Sequence, residues 1–374
     1  MNPNILTAET QTRPNTNERV ISFTELPSPA ELVAVLPVTD AQAYKITRAR
    51  QEVGAVLSGL DQRLLVIIGP CSIHDPVAGL EYAQRLAEAA QKHQSELLIV
   101  MRSYFEKPRT TIGWKGLVND PNLDGSHEMG AGLRKAREFM LAVSELGLPL
   151  ATEFLEPLSA QYLADLISWG AIGARTTESQ THRQLVSGLS MPVGFKNGTD
   201  GSVQVAIDAC QASSEAQSFM GIDESGRTAV VNTAGNQDAH LILRGGAEGP
   251  NYSDEAVSVA SSSMQSAGMN PRLIVDASHA NSGKSHLRQA EVISELAARI
   301  AVGDSRVAGI MAESFLVAGA QKHDPDAVEV GTDVLGALTY GQSVTDACMG
   351  WDVSAAALEE LATAVRTSWS VTGG

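Results

Sequence analysis

From residue 64 onward the chain repeats one pattern: a short apolar run, then a longer amphipathic stretch. The runs fall at residues 64–69, 97–101, 148–152, 171–174, 192–195, 241–243, 273–276 and 307–311. They lack polar alternation, as expected of parallel strands covered on both faces. Helix signals lie between them. Asp75-Pro76 reads as an N-cap followed by proline at the first helical position, and Leu80, Ala83, Leu86, Ala87 and Ala90 follow at helical spacing. Val353, Ala357, Leu358, Leu361 and Val365 repeat that spacing near the end. Eight strands, each followed by a helix, predict an α/β fold, a (β/α)8 TIM barrel. A doubly wound open sheet is the alternative, but its Gly-rich dinucleotide turn is absent.

The barrel is expected over 61–374. It is preceded by a flexible tail at 1–16 and an N-terminal extension at 17–60, with a strand near 19–23 and a helix from Thr39 to about Leu57. Two connections exceed what a plain barrel needs, and long loops in compact domains are usually functional. One spans 103–125. The other holds 218–222 and 228–232 around Asp223-Glu224-Ser225-Gly226, and reads as an inserted β-hairpin near 218–234.

Every predicted strand ends in polar chemistry. The ends are Gly69-Pro70-Cys71-Ser72, Arg102, Glu153, Arg175, Lys196, Arg244, Asp276 with His279, and Glu313. In a barrel this is the face that carries active sites. Any one of these charges alone would read as a solvated loop start; eight together do not. Arg102, Arg175, Lys196 and Arg244, joined by Lys107 and Arg109 in the long loop, are cationic and would repel one another without anions to receive. A ligand, or two, with several negative charges is therefore expected. Cys71, His279, Glu313 and Asp346 form a mixed sulfur, nitrogen and oxygen donor set suited to a divalent transition metal. Taken singly, Cys71 reads as a small buried hydrophobe and His279 as a core histidine. Their common placement at strand ends favours the metal.

The net charge of −16 argues against a nucleic-acid surface while leaving room for a local basic pocket. Three scattered cysteines, Cys71, Cys210 and Cys348, make no disulfide framework, and the first residues show no secretory pattern. No apolar run approaches the roughly 20 residues needed to span a bilayer. A cytoplasmic protein with no nucleic-acid or membrane partner is expected.

The strand-end segments resemble those of the class I 3-deoxy-D-arabino-heptulosonate-7-phosphate (DAHP) synthases, the microbial type regulated by aromatic amino acids. The likeness is carried by Gly69-Pro70-Cys71-Ser72-Ile73-His74-Asp75, by Met101 through Thr111 including Lys107-Pro108-Arg109-Thr110-Thr111, and by Gly113-Trp114-Lys115-Gly116. It continues in Ala174-Arg175-Thr176-Thr177-Glu178-Ser179-Gln180, Gly194-Phe195-Lys196-Asn197-Gly198-Thr199-Asp200-Gly201, Arg244-Gly245-Gly246, Asp276-Ala277-Ser278-His279-Ala280-Asn281 and Thr345-Asp346-Ala347-Cys348. Ala277, Phe315 and Ala318 depart from the family pattern, and none is a candidate ligand.

This resemblance implies that Cys71, His279, Glu313 and Asp346 bind a divalent ion, with manganese, iron, cobalt and zinc all open. It implies that Arg102, Lys107, Arg175, Lys196 and Arg244 bind phosphoenolpyruvate, and that Lys107, Pro108, Arg109 and Thr110 line the site for erythrose 4-phosphate. Cys71, His279 and Lys107 are then the catalytic candidates, with Lys107 as proton donor at a pKa lowered by neighbouring cations. Cys348 is expected near enough to Cys71 to form a disulfide when metal is absent. Pro157 and Gly221, with Gln161, Ser190 and Phe219, resemble the tyrosine-sensitive pattern, so an aromatic amino acid effector and a homodimer or homotetramer are expected. Three other readings stand beside this one: an aldolase with Lys196 as Schiff-base lysine, an octulosonate 8-phosphate synthase, and a barrel that only senses aromatic amino acids.

Overall fold

The computed structural model describes residues 16–108 and 113–372. Two helices precede the barrel: α1 (Pro29–Val35) and α2 (Asp40–Ser58). Each begins with a reciprocal capping box, Ser28 with Glu31 and Thr39 with Gln42, which satisfies otherwise orphaned backbone N–H groups. The strand expected at 19–23 is absent. Those residues have no regular structure, and Ile21 and Phe23 are 101% and 83% exposed. With no neighbouring strand to pair with, β-propensity has no ladder to join.

The barrel and its additions then follow in chain order: β1 (Leu64–Gly69), α3 (Pro76–Lys92), β2 (Leu97–Arg102), α4 (Met129–Glu145), β3 (Leu150–Glu153), α5 (Ala160–Leu163), β4 (Trp169–Ile172), α6 (Gln180–Gly188), β5 (Val193–Lys196), α7 (Gln204–Ser214), β6 (Ser218–Ile222), β7 (Thr228–Asn232), β8 (Ala239–Leu243), α8 (Asp254–Ser266), β9 (Leu273–Asp276), α9 (His286–Ala301), β10 (Val307–Glu313), β11 (Val317–Ala320), β12 (Gln342–Ser343) and α10 (Trp351–Thr372).

Strands β1, β10, β9, β8, β5, β4, β3 and β2 close, in that order, into a barrel whose pairings are all parallel. Every residue of β1, β2 and β10 is buried, which is why these runs read as continuous apolar segments. Barrel closure brings β1 close to β2. A Cβ on Gly69 would sit 2.5 Å from the Arg102 carbonyl oxygen, so only glycine fits there.

Two additions frame the site. The antiparallel pair β6–β7 is the expected hairpin, and its tip is tied to α1 by Ala30 N–H donating to the Glu224 carbonyl at 2.8 Å. The connection after β10 carries the small parallel pair β11–β12, which the sequence pattern did not announce. That connection is pinned to the long loop after β2: His323 Nε2 lies 2.7 Å from the Leu123 carbonyl, and Gly331 N–H donates to Asp124 at 2.8 Å. Among the described residues, no helix is long and apolar enough to cross a membrane.

Candidate active site

The C-terminal ends of the strands surround a polar cavity of about 280 Å³. Lys107, Pro108, Arg175, Lys196, Arg244, His279, Glu313 and Asp346 all line it, and Cys71 and Arg102 lie immediately beneath. Arg109 and Thr110 lie outside the described residues.

The floor is built around Arg102, which ends β2 and is fully buried. Its Nε donates to the Pro70 carbonyl at 3.1 Å. Its Nη2 reaches the Cys71 carbonyl at 3.2 Å and Glu313 Oε1 at 3.0 Å. The guanidinium stacks 3.6 Å above the centroid of the Tyr104 ring. Burial opposes its charge, but the surrounding anionic groups, Glu313 among them, outweigh it and raise its pKa. Lys196, at the end of β5, is likewise committed: its Nζ lies 3.1 Å from Asp276 and 4.0 Å from Glu153. This corrects the picture of cations waiting unpaired in one mouth. A charge buried on the barrel floor persists only with a counter-charge, so the deep cations arrive already neutralised. Arg175 and Arg244, higher in the mouth, form no ion pair among the described residues.

Next to Arg102 is the donor cluster. Cys71 Sγ, Glu313 and Asp346 offer ligand atoms within 4.8 Å of one another, with Asp346 Oδ2 3.7 Å from Cys71 Sγ. Burial, followed by the neighbouring Glu313 charge, pushes the Cys71 thiol up to about 11. A thiolate, carboxylate and imidazole set fits a divalent transition metal. Burial raises the pKa of Asp346, but Lys107 and His279 lower it on balance.

His279, the fourth candidate ligand, stands outside this triplet while lining the same cavity. It sits at φ +56°, and its Nδ1 lies 2.7 Å from Ser278 Oγ and 2.9 Å from Asp276 Oδ2. The Asp276 contacts are at ion-pair distance without hydrogen-bond alignment. Burial works against the Asp276 charge, yet Lys196 and His279 hold its carboxyl well below the usual range. With Nδ1 engaged by Ser278 Oγ, Nε2 is the nitrogen left for a ligand.

Lys107 Nζ donates to Cys71 Sγ at 3.1 Å and to the Cys71 carbonyl at 3.3 Å. Its expected pKa lowering is not found. Burial and Arg102 lower it, but Cys71, Glu313 and Asp346 raise it above the ordinary lysine value. The sequence showed the cations around Lys107 without showing that anions stand closer. The Cys71 N–H points at Cys348 Sγ, 3.4 Å away, and both thiols are free.

Three contributors went unassigned in the sequence. Tyr104 carries the face on which Arg102 stacks. Gln289, buried on α9, accepts from the Glu313 N–H at 2.9 Å. Lys284 lines the mouth beside Asp346. Only Tyr104 had a sequence signal, its place two residues past a strand-end arginine.

A model of the DAHP synthetase I family matches residues 37–359. The chain belongs to the DAHP synthetase I family. It is 53% identical over 350 residues to a phospho-2-dehydro-3-deoxyheptonate aldolase of Corynebacterium glutamicum, covering 94% of each chain. It is 49% identical to the Phe-sensitive enzyme of that name from Escherichia coli, over 94% of this chain and 98% of the relative. Identity to the Trp-sensitive E. coli enzyme is also 49%, over 93% and 97%. A solved phospho-2-dehydro-3-deoxyheptonate aldolase from Francisella tularensis superposes with a TM-score of 0.88 at 44% identity, over 93% of this chain and 99% of that one.

A second cavity, about 710 Å³, lies between α1, α6 and the β6–β7 hairpin. Pro157, Gln161, Ser190, Phe219 and Gly221, the five residues singled out for effector recognition, all line it. Its other walls are mainly apolar and include Leu185, Leu189 and Met191.

Proposed function

We propose that the barrel mouth condenses phosphoenolpyruvate with erythrose 4-phosphate and water, releasing phosphate and DAHP, the first step of the shikimate pathway. The observation that carries this reading is the cluster of Cys71, Glu313 and Asp346 donor atoms set beside a cationic cavity, in a chain of the DAHP synthetase I family.

Arg175 and Arg244 receive the charges of phosphoenolpyruvate with Lys196 beneath them, orienting the methylene carbon towards the aldehyde. A divalent ion held by Cys71, His279, Glu313 and Asp346 would act as a Lewis acid on the aldehyde oxygen. The methylene carbon bonds to the aldehyde carbon, water adds at the former enol carbon, and the carbon–oxygen bond to phosphate breaks. Lys107, kept protonated by its anionic neighbours, donates a proton to the oxygen that becomes the new hydroxyl. Arg102 supports the site from below by fixing Glu313 and the Cys71 carbonyl.

The decisive assay follows loss of phosphoenolpyruvate and release of phosphate in metal-reconstituted protein. Turnover that needs both substrates and stops on chelation is expected. Turnover that survives chelation would overturn the metal assignment. A borohydride-trapped adduct on Lys196 would favour the Schiff-base alternative.

The second cavity is the proposed site of an aromatic amino acid effector, with tyrosine as the first to test. Its apolar walls suit a ring, and Gln161, Ser190 and Glu224 offer polar groups for the amino acid end. Tyrosine rests on the Pro157 and Gly221 pattern, whereas two relatives are named for phenylalanine and tryptophan sensitivity. Inhibition titrations with all three amino acids decide among them, and full activity in saturating tyrosine would remove it. A homodimer or homotetramer is proposed as well. Exposed Met220 and Val230 on the hairpin, and Ile21 and Phe23 before α1, offer apolar surface for it. Light scattering tests this.

A further inference from the structure

The cations at the mouth differ in what they are already doing. Arg102 is held by Glu313 and Lys196 by Asp276, and Lys107 donates a hydrogen bond to the Cys71 sulfur. Among the described residues, Arg175, Arg244 and Lys284 line the cavity without a carboxylate at ion-pair distance. Arg175 and Arg244 follow β4 and β8. Lys284 belongs to the loop between β9 and α9, the loop that also carries His279.

Lys284 is presented by an unusual backbone. Its φ is +61°, a left-handed conformation that a residue with a Cβ adopts reluctantly and that glycine or asparagine would fill more cheaply. The conformation is locked by the Lys284 N–H donating to the His279 carbonyl at 2.7 Å. The rest of the loop is fixed as firmly: the Asn281 side-chain amide reaches the carbonyls of Asp276 at 2.8 Å and Leu243 at 3.2 Å. Lys284 is exposed to solvent, yet its side chain lines the cavity from a strained position on a loop held by these hydrogen bonds, and this points to a use for the ammonium at the mouth.

The proposed reaction brings two phosphorylated substrates into a cavity that already holds Glu153, Glu313 and Asp346. Arg175, Arg244 and Lys196 serve the first. A second phosphate entering beside two carboxylates needs its own cation, or its desolvation goes uncompensated. Lys284 and Asp346 line the same cavity. In the condensation proposed above, the aldehyde reacts where Asp346 would help to hold the divalent ion.

Building on the condensation proposed above, we infer that Lys284 is a substrate-binding residue for the phosphate of the aldose phosphate. It sets the preference for a phosphorylated over a free aldose.

The test is steady-state kinetics of the metal-loaded full chain, with each substrate varied in turn, for wild type, Lys284→Met and Lys284→Arg. Lys284→Met is expected to raise the KM for erythrose 4-phosphate by roughly tenfold or more, the size of one charge-assisted contact. The KM for phosphoenolpyruvate and the affinity for manganese, read by titration, stay near wild type. Lys284→Arg recovers most of the loss, and the preference for erythrose 4-phosphate over erythrose shrinks in Lys284→Met. An unchanged KM for erythrose 4-phosphate, an equal rise for both substrates, or a loss confined to metal affinity would each overturn the assignment while leaving the parent reading intact. Wild-type protein that fails to turn over these substrates would overturn the parent reading and this assignment together.

Discussion

The two cavities of this molecule are built on opposite terms. The mouth cavity is polar, and its side chains come from the ends of the barrel strands, with the deep charges held in ion pairs. The hairpin-side cavity is larger and mainly apolar, and its walls include two pieces a bare barrel does not need, α1 and β6–β7. Among the described residues they share no lining residue. Two connections nevertheless run between them. Glu153 and Arg175 line the mouth, while Pro157 and Thr181, a few residues further along the same two connections, line the other cavity. Buried His182 clips these connections together, its Nε2 2.8 Å from the Leu155 carbonyl and its Nδ1 2.9 Å from Ser179 Oγ. The contrast teaches that chemistry sits where the barrel fixes atoms, whereas the second cavity is an addition linked to the first through the segments that follow β3 and β4.

The largest effect should come from the mouth. Cys71→Ala removes one donor of the cluster and is expected to lower kcat by about 10³-fold or more, because loss of Lewis-acid stabilisation costs several kcal/mol. Binding of the effector, measured by calorimetry, should stay within about twofold, as for sites with no shared contacts. If effector binding collapsed as well, the two cavities would not be separate.

Next in size, Arg102→Leu leaves Glu313 buried without its partner. A loss of about 3–5 kcal/mol in unfolding free energy is expected for breaking such a pair. Denaturant melts with and without metal sharpen the point: a divalent ion bound at Glu313 should return part of the stability.

His240 tests the end of the barrel remote from the mouth. It accepts from Trp169 Nε1 at 3.1 Å and lies 2.9 Å from the Asp238 carbonyl through Nδ1, an arrangement that needs the neutral ring. Burial lowers its pKa to about 4. Between that value and the ordinary histidine value the unfolded chain binds more protons, so stability rises with pH. Its contribution is complete above about pH 6.5 and is lost as pH falls to about 4, amounting to roughly 3 kcal/mol. Melting curves across this window check it, and a flat profile would contradict a neutral buried His240.

The smallest effect belongs to the second cavity. Ser190→Leu fills part of it and should weaken inhibition by the effector roughly tenfold, about 1.4 kcal/mol, leaving uninhibited kcat unchanged. An equal fall in uninhibited activity would show that the hairpin-side cavity supports the chemistry directly.

The sequence by itself determined the barrel, since buried parallel strands must be apolar throughout and their spacing leaves room for a helix after each. It determined the hairpin to the residue, because two short segments flank the turn residues Asp223-Glu224-Ser225-Gly226. It also placed the candidate ligands at strand ends, where a barrel gathers distant residues into one mouth. It did not determine which charges pair. Arg102 with Glu313 and Lys196 with Asp276 join residues far apart in the chain, as does the hydrogen bond from Lys107 to Cys71, and only closure of the barrel sets those distances. For the same reason the direction of the Lys107 pKa was misread: an ionisable group answers to its nearest charges in space, not to those nearest in sequence. Gln289, the left-handed Lys284 and the unpaired segment at 19–23 were equally out of reach, because partner, backbone angle and missing neighbour are all settled by packing between elements.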